Sequence, residues 1–300
     1  MTAVATTDSG YAERPLGGRF RFPTHWLGVA PFLVYAAAFL LLPTVIVAVG
    51  AFSGSHGPSL ANLAQLGQPY IVTAFVNSLV LSAVSASIGA AVGAMLAYAV
   101  ASGSPSGVLR RIVTALCGVL SQFGGVTLAF AFIATIGTEG FIVIWLRQHG
   151  IDFYPNGVWL FSLTGLTLIY TYFQIPLMVI VFMPALDGIR PQWREATETL
   201  GGATWHYWRH VAGPLLLPAF LGAWLLLFAN AFSAYATAAA LLDIGGVIVP
   251  LQISRALSSE VGLDQANLAA ALALGMVVVV ALITVGYSWL QRRSARWLPR

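Results

Sequence analysis

Six long apolar segments constrain this 300-residue chain more than any other feature of its sequence. None has a charged residue in its interior, and each is long enough to cross the hydrocarbon core of a bilayer as a helix, which takes about 20 residues. The predicted spans are 27–52, 75–101, 112–137, 158–186, 214–242 and 267–290. We therefore predict an all-α integral membrane protein with six transmembrane helices. The domain runs over 27–290, between tails at 1–26 and 291–300.

Composition agrees with a membrane protein and argues against a soluble one. Only 8% of the residues are charged, whereas an average soluble domain has about 25%. A soluble fold of this length buries only about 75% of its surface, so it could not hide so much apolar surface from water. The first span is preceded by a polar stretch and has no small-residue cleavage site, so we expect it to stay in place as a helix rather than act as a signal peptide.

The arginines predict the orientation of the spans, because basic residues concentrate in cytoplasmic loops. With the N-terminus in the cytoplasm, only Arg147 and Arg255 lie outside. The inside segments then hold Arg14, Arg19, Arg21, Arg110, Arg111, Arg190, Arg194, Arg209, Arg292, Arg293, Arg296 and Arg300. The chain is thus predicted to be a multi-pass protein of the cell (inner or plasma) membrane with both termini cytoplasmic. This distribution explains the net charge of +4 without nucleic-acid binding.

Missing residue types narrow the chemistry. The chain has no lysine, so it cannot supply the phosphate-binding lysine of a Walker A loop; any ATP and Mg²⁺ must bind another chain. Cys117 is the single cysteine and is expected to be a small core residue. His206 and His210 have i, i+4 spacing but no acidic third ligand nearby, so we predict no metal site. We also predict no cofactor and no catalytic residue in this chain.

Small residues recur at helical spacing along the second span and predict close helix packing. The stripe consists of Ser78, Ser82, Ala86, Ala90 and Ala94, with Gly89 and Gly93 beside it. Such stripes are too common to specify a dimer, so we interpret this one as packing inside the bundle.

The cytoplasmic loop 187–213 is longer than a turn and predicts two short helices. Pro191 suits a first helical position, and Gly201 with Gly202 supplies a stop. Thr204 is expected to cap the second helix, which Gly213 and Pro214 would end before the fifth span. On the first helix, an apolar face is expected to contain Trp193, Ala196 and Leu200.

This loop resembles the EAA loop of binding-protein-dependent ABC permeases. The matching residues are Glu195, Ala196, Gly201 and Pro214, at the family spacing. Thr197 replaces the third-position alanine, Val211 replaces isoleucine, and Gly213 replaces leucine. The similarity covers about residues 70 to 290, and the alternative for the loop is an interfacial helix without a docking partner.

The resemblance implies a permease subunit whose EAA loop couples it to ATPase subunits on separate chains. It also implies a second permease subunit, identical or related, and an extracytoplasmic solute-binding protein. A looser similarity around Tyr170–Met178 and Pro184–Ile189 is to permeases for polyamines, ferric iron, thiamine and aminophosphonates, which favours a small polar or charged solute.

Three polar residues fall near the middle of predicted spans: Gln122, Gln174 and Asn230. Buried polar groups in hydrocarbon cost free energy unless they are paired, and they often face a pathway. The alternative is interhelical hydrogen bonding, which contributes about 1 kcal/mol or less. A self-contained secondary transporter or channel is the competing function, and an intramembrane enzyme a third. The absence of ionisable residues inside the spans counts against both.

Overall fold

The computed structural model describes residues 25–54, 57–104, 107–155, 157–242, 247–258 and 263–295, which are almost entirely helical. The helices are α1 (His25–Ala36), α2 (Leu42–Ala51), α3 (Ala61–Gln65), α4 (Pro69–Ala101), α5 (Val108–Gln122), α6 (Gly125–Ile136), α7 (Phe141–Gln148), α8 (Leu163–Asp187), α9 (Pro191–Thr199), α10 (Thr204–Tyr207), α11 (Gly213–Ser233), α12 (Ala236–Leu241), α13 (Val249–Ser258) and α14 (Leu263–Ala295). A two-residue antiparallel ribbon pairs β1 (Ser53–Gly54) with β2 (Gly57–Pro58).

The chain forms two compact units. The first ends at Ile46 and contains α1, a π-helical turn at Ala37–Leu41 and the start of α2. The second begins at Val47 and contains all the other helices. Residues 1–24 of the predicted tail 1–26, with its three arginines, lie outside the described residues, as do Arg296 and Arg300 and the side chains of Arg292 and Arg293.

Six helical segments among the described residues are long and apolar enough to cross a membrane. They are Val29–Ala51, Pro69–Ala101, Gly125–Gln148, Leu163–Asp187, Thr204–Ser233 and Gln265–Trp289. The predicted all-α protein with six transmembrane helices is therefore confirmed, although the third and fifth spans differ from their predicted bounds.

The third predicted span, 112–137, is not one helix. It is interrupted after Gln122, and Gly125, the first residue of α6, has φ = 70°, a left-handed conformation that cannot occur inside a continuous α-helix. The segment that qualifies as a span starts at Gly125 and continues through α7. Hydropathy could not reveal this break, because two glycines barely lower the mean hydropathy of an apolar segment. The doublet Gly124-Gly125 was the available signal.

The fifth span also differs, because the helix does not stop at Gly213 and Pro214 as predicted. It runs from Thr204 to Ser233 through a π-helical turn at Trp208–Ala212, and α12 is a separate helix. The Gly213 N–H donates to the Trp208 carbonyl five residues back. The wider turn accommodates Pro214, which has no N–H and whose ring would otherwise clash with the carbonyl four residues back. The π turn before Pro43 has the same pattern.

The core of the second unit forms around the α4–α8 pair, the most extensive contact among the described helices. Ser78, Ser82, Ala86 and Ala90 are all buried, as the predicted packing stripe requires. A Cβ atom built on Gly89 would lie 2.7 Å from the Cβ atom of Gln174. Cys117 is buried in this core, as predicted. The helix α8 passes through Pro176 and Pro184 without interruption.

Candidate coupling surface and membrane-embedded polar residues

The helix α9 presents an exposed surface on the loop between the fourth and fifth spans. It begins at Pro191, as predicted. The predicted apolar face is confirmed, since Trp193, Ala196 and Leu200 line one groove of about 580 Å³ together with Val211 and Pro214. Leu200 is 88% exposed, so much of this apolar surface is uncovered.

The turn after α9 depends on Gly201. Its φ is 78°, the left-handed conformation predicted for the helix stop. The Gly201 N–H donates to the Glu198 carbonyl over 3.0 Å, and the Gly202 N–H donates to the Thr197 carbonyl over 2.9 Å. No atom lies within 4 Å of a Cβ built on Gly201, so its requirement for glycine comes from the backbone alone.

The predicted cap at Thr204 is wrong. Thr204 is the first residue of α10, and Ala203 occupies the N-cap position. The Ala203 N–H instead donates to Nδ1 of His206 over 3.3 Å. The His206 imidazole thus takes the role that a glutamate or glutamine has three residues after the N-cap in a capping box, which sequence preferences for capping residues do not anticipate.

The charges on α9 separate into a paired and an unpaired set. Arg194 and Glu198 form an exposed i, i+4 ion pair of 2.9 Å. The hydrogen bond and the charge of the Glu198 carboxylate raise the pKa of the Arg194 guanidinium. The Glu195 side chain is exposed and makes no ion pair with any described residue. Its carboxylate is therefore available to a basic group on another molecule.

An ion pair that the sequence analysis missed lies at the start of this loop. Arg110 on α5 donates to the carboxylate of Asp187, the last residue of α8. The pair joins the beginning of one helix to the end of another, 77 residues away in sequence. The available signal was an acidic residue and an arginine pair in two loops predicted to lie on the same side of the membrane, but sequence alone did not say which charges would meet.

Of the three predicted membrane-embedded polar residues, Gln174 is fully buried in the α4–α8 interface. Its Nε2 donates to Oγ of Ser85 over 2.8 Å, while its Oε1 and the nearby stripe hydroxyl of Ser82 have no partner among the described residues. The geometry at Gln174 is that of an interhelical hydrogen bond, the alternative raised for it.

Gln122 and Asn230 occupy different environments from Gln174. Gln122 is exposed at the end of α5, and Asn230 is exposed one turn before the end of α11. The three side chains are not hydrogen-bonded to one another among the described contacts. Their role in a translocation pathway stays a prediction.

Replacing Gln174 by leucine is expected to change stability by less than about 1 kcal/mol, because interhelical hydrogen bonds in membranes are weak. Gln174→Ala should cost about 2 to 4 kcal/mol, because it leaves a cavity in the closest helix interface. Thermal unfolding of the purified chain in detergent would compare the two. Equal damage from leucine and alanine would show that the amide itself is needed.

The imidazole rings of His206 and His210 lie nearly parallel to each other. The ring centroids of His206 and His210 are 6.3 Å apart, with planes 16° from parallel. No group of three or more His, Cys, Asp or Glu residues among the described part of the chain is placed to hold a metal ion.

A comparison with known families decides what kind of chain this is. The family described as binding-protein-dependent transport system inner membrane component matches residues 89–298, which include α9, the Gly201 turn and five of the helical spans in whole or part. The chain belongs to this family. The exposed α9 surface therefore belongs to a permease of this family.

Two transport permeases of Escherichia coli are distant relatives of this chain. The thiamine transport system permease protein ThiP of Escherichia coli is 26% identical over 175 residues, 56% of this chain and 31% of that protein. The match thus spans about a third of the length of ThiP. The sulfate transport system permease protein CysW of Escherichia coli is 24% identical over 267 residues, 88% of each chain.

Solved structures support the fold. A chain of a bacterial ABC transporter that imports the acidic polysaccharide alginate superposes with a TM-score of 0.73 at 17% identity, covering 90% of this chain and 95% of that chain. A chain of a bacterial alginate ABC transporter, solved in complex with an alginate pentasaccharide-bound periplasmic protein, superposes with a TM-score of 0.67 at 19% identity. This superposition covers 90% of this chain and 94% of that chain. At this identity the similarity establishes the fold alone.

Proposed function

We propose that this chain is the permease subunit of an ATP-binding-cassette importer. It forms the translocation pathway for a small polar or charged solute, which an extracytoplasmic binding protein delivers. The observation that carries the proposal is the exposed α9 surface, which holds the EAA-like residues in a chain that belongs to the permease family. A second permease subunit, identical or related, completes the pathway.

ATP hydrolysis takes place on a separate chain in this proposal. The absence of lysine from all 300 residues supports it, since a Walker A loop needs that side chain. The ATPase docks on α9 and the turn that follows it. Glu195 pairs with a basic group there, Ala196 allows close approach, Gly201 provides the turn, and Pro214 begins the span that transmits the movement.

The loop carrying α9 faces the cytoplasm, and both termini lie on the same side. Two observations support this orientation: the uneven distribution of the arginines and the even number of candidate spans. The Arg110–Asp187 ion pair is then a cytoplasmic contact that fixes the end of α8 where the coupling loop begins. A partly exposed pair of this kind contributes position more than stability.

Two matched variants test the docking assignment. Glu195→Gln and Glu198→Gln each remove one carboxylate from α9 with almost no change in shape. An unpaired charge that meets a basic partner across an interface is worth about 2 kcal/mol or more, so Glu195→Gln should reduce ATPase retention at least tenfold. Glu198→Gln breaks only an exposed pair and should retain it.

The measurement is co-purification of the tagged chain from solubilised native membranes, with identification of the proteins retained. Equal retention by the two variants would contradict the role of Glu195 while leaving the importer assignment intact. A wild-type chain that purifies alone and moves solute into liposomes without ATP would overturn the assignment and favour a secondary transporter.

A further inference from the structure

A pocket of about 430 Å³ lies at the opposite end of α11 from the α9 loop. It is lined by the end of α11, by one face of α13 and by Met276 of α14. Four hydroxyl-bearing side chains share it: Ser233, Tyr235, Ser254 and Ser258. Their oxygens give the pocket a partly polar lining, so this surface is suited to water or a polar solute.

The hydrogen bonds inside the pocket decide what it offers a ligand. Ser233 donates to the Ala229 carbonyl over 3.0 Å, and Ser258 donates to the Ser254 carbonyl over 2.8 Å. The hydroxyls of Tyr235 and Ser254 share one hydrogen bond of 2.9 Å. Three of the four hydroxyl protons are thus engaged, while most of the oxygen lone pairs stay free to accept.

The absence of basic residues from the described pocket lining and the exposed ring of Tyr235 both favour a cation over an anion. The described residues that line the pocket include no arginine or histidine, and Arg255 lies off the face of α13 that contributes Ser254 and Ser258. The Tyr235 side chain is 43% exposed, and an aromatic face attracts a cation. Among the described residues that line the pocket, an anion would find few hydrogen-bond donors and no positive charge.

We propose that this hydroxyl pocket is a transit site for an organic cation that bears an ammonium group. The ammonium donates hydrogen bonds to the lone pairs of the serine hydroxyls and lies near the Tyr235 ring. The proposal rests on the proposed function and specifies its solute class.

The site can be probed in the full chain without any partner. A single cysteine is introduced by Leu257→Cys, at a residue that lines the pocket and is 63% exposed. The background variant Cys117→Ala removes the one native thiol, which is buried. All four hydroxyls remain. The chain in liposomes is labelled with aminoethyl methanethiosulfonate, a cation, and with sulfonatoethyl methanethiosulfonate, an anion of similar size.

The readout is the ratio of the two labelling rates, which cancels any effect on ionisation of the thiol. The matched control carries the same cysteine with Tyr235→Phe and Ser254→Ala. We expect the cation-to-anion ratio to be about fivefold higher with the hydroxyls present, the effect of hydrogen bonds from the cation to those oxygens, because Tyr235→Phe keeps the aromatic ring in both chains. Excess ethylammonium should slow the labelling, and sodium acetate of equal ionic strength should not.

An equal ratio in both chains, or faster labelling by the anionic reagent, would overturn the proposal. If the double variant does not fold, the single Tyr235→Phe variant serves instead, with a smaller drop in the ratio expected. Because labelling needs no ATPase, a negative result leaves the importer assignment untouched, and loss of the importer assignment would appear only in the co-purification.

Discussion

With valine in place of Gly93, α4 and α8 are expected to lose their native separation, and most of the purified chain should aggregate or unfold. A Cβ atom at this position would lie 2.5 Å from the Cβ atom of Met178 and 2.7 Å from the Ile175 carbonyl oxygen. Backbone cannot move aside as a flexible side-chain end can. Overpacking a core typically costs about 1 to 3 kcal/mol, and contact with backbone in the main interface of the fold should exceed that range.

The matched control for Gly93 is Gly118→Ala. Gly118 lies inside α5, and no atom lies within 4 Å of a Cβ atom built there. Alanine should therefore be tolerated or should stabilise the helix by up to about 1 kcal/mol. Thermal unfolding and size-exclusion profiles in detergent compare the two. Similar melting of Gly93→Val and Gly118→Ala would show that α4 and α8 are not as close as described.

A substitution series at Gly201 is expected to uncouple transport with little loss of folded protein. The φ of 78° suits glycine, is tolerated by asparagine and is costly for other residues, by about 1 to 2 kcal/mol for alanine and more for valine. The strain falls on the turn that orients α9 relative to α11. ATP-driven uptake should therefore fall in the order Gly201, Asn, Ala and Val, with a loss of at least tenfold for valine.

The control for this series is Gly188→Ala, at the other end of the same loop. Gly188 has an ordinary φ of −71°, and its added Cβ atom would make only normal contacts of 3.4 Å or more. Uptake by membranes that contain the complete importer, and ATPase retention on the purified chain, are measured for each variant. Full uptake by Gly201→Val would show that the turn geometry does not govern coupling.

The candidate site was predictable where a local rule governs it. Pro191 begins α9 because proline lacks an N–H and fits a first turn, and Gly201 ends it because glycine accepts the left-handed conformation. The shared apolar face of Trp193, Ala196 and Leu200 follows from helical spacing. By contrast, the cap at Ala203 depends on the orientation of His206, and neither residue is a preferred cap in sequence statistics.

The three amides within the predicted spans show what local sequence rules cannot predict. Gln122, Gln174 and Asn230 look alike in sequence, since each is an amide within an apolar run. Gln174 faces Ser85 across the closest helix interface, whereas Gln122 and Asn230 are exposed. Which direction an amide faces depends on the rotation and neighbours of its helix, and these are set by contacts between residues far apart in the chain.

Six membrane-spanning helices and a helical loop after the fourth of them were predictable from the sequence alone. Hydropathy and the requirement for internal backbone hydrogen bonding in lipid leave few other solutions. The three-dimensional structure was needed to locate the break before Gly125, the π turn before Pro214, the Arg110–Asp187 pair and the hydroxyl pocket. Backbone dihedrals and long-range packing set these features, and neither is encoded in local composition.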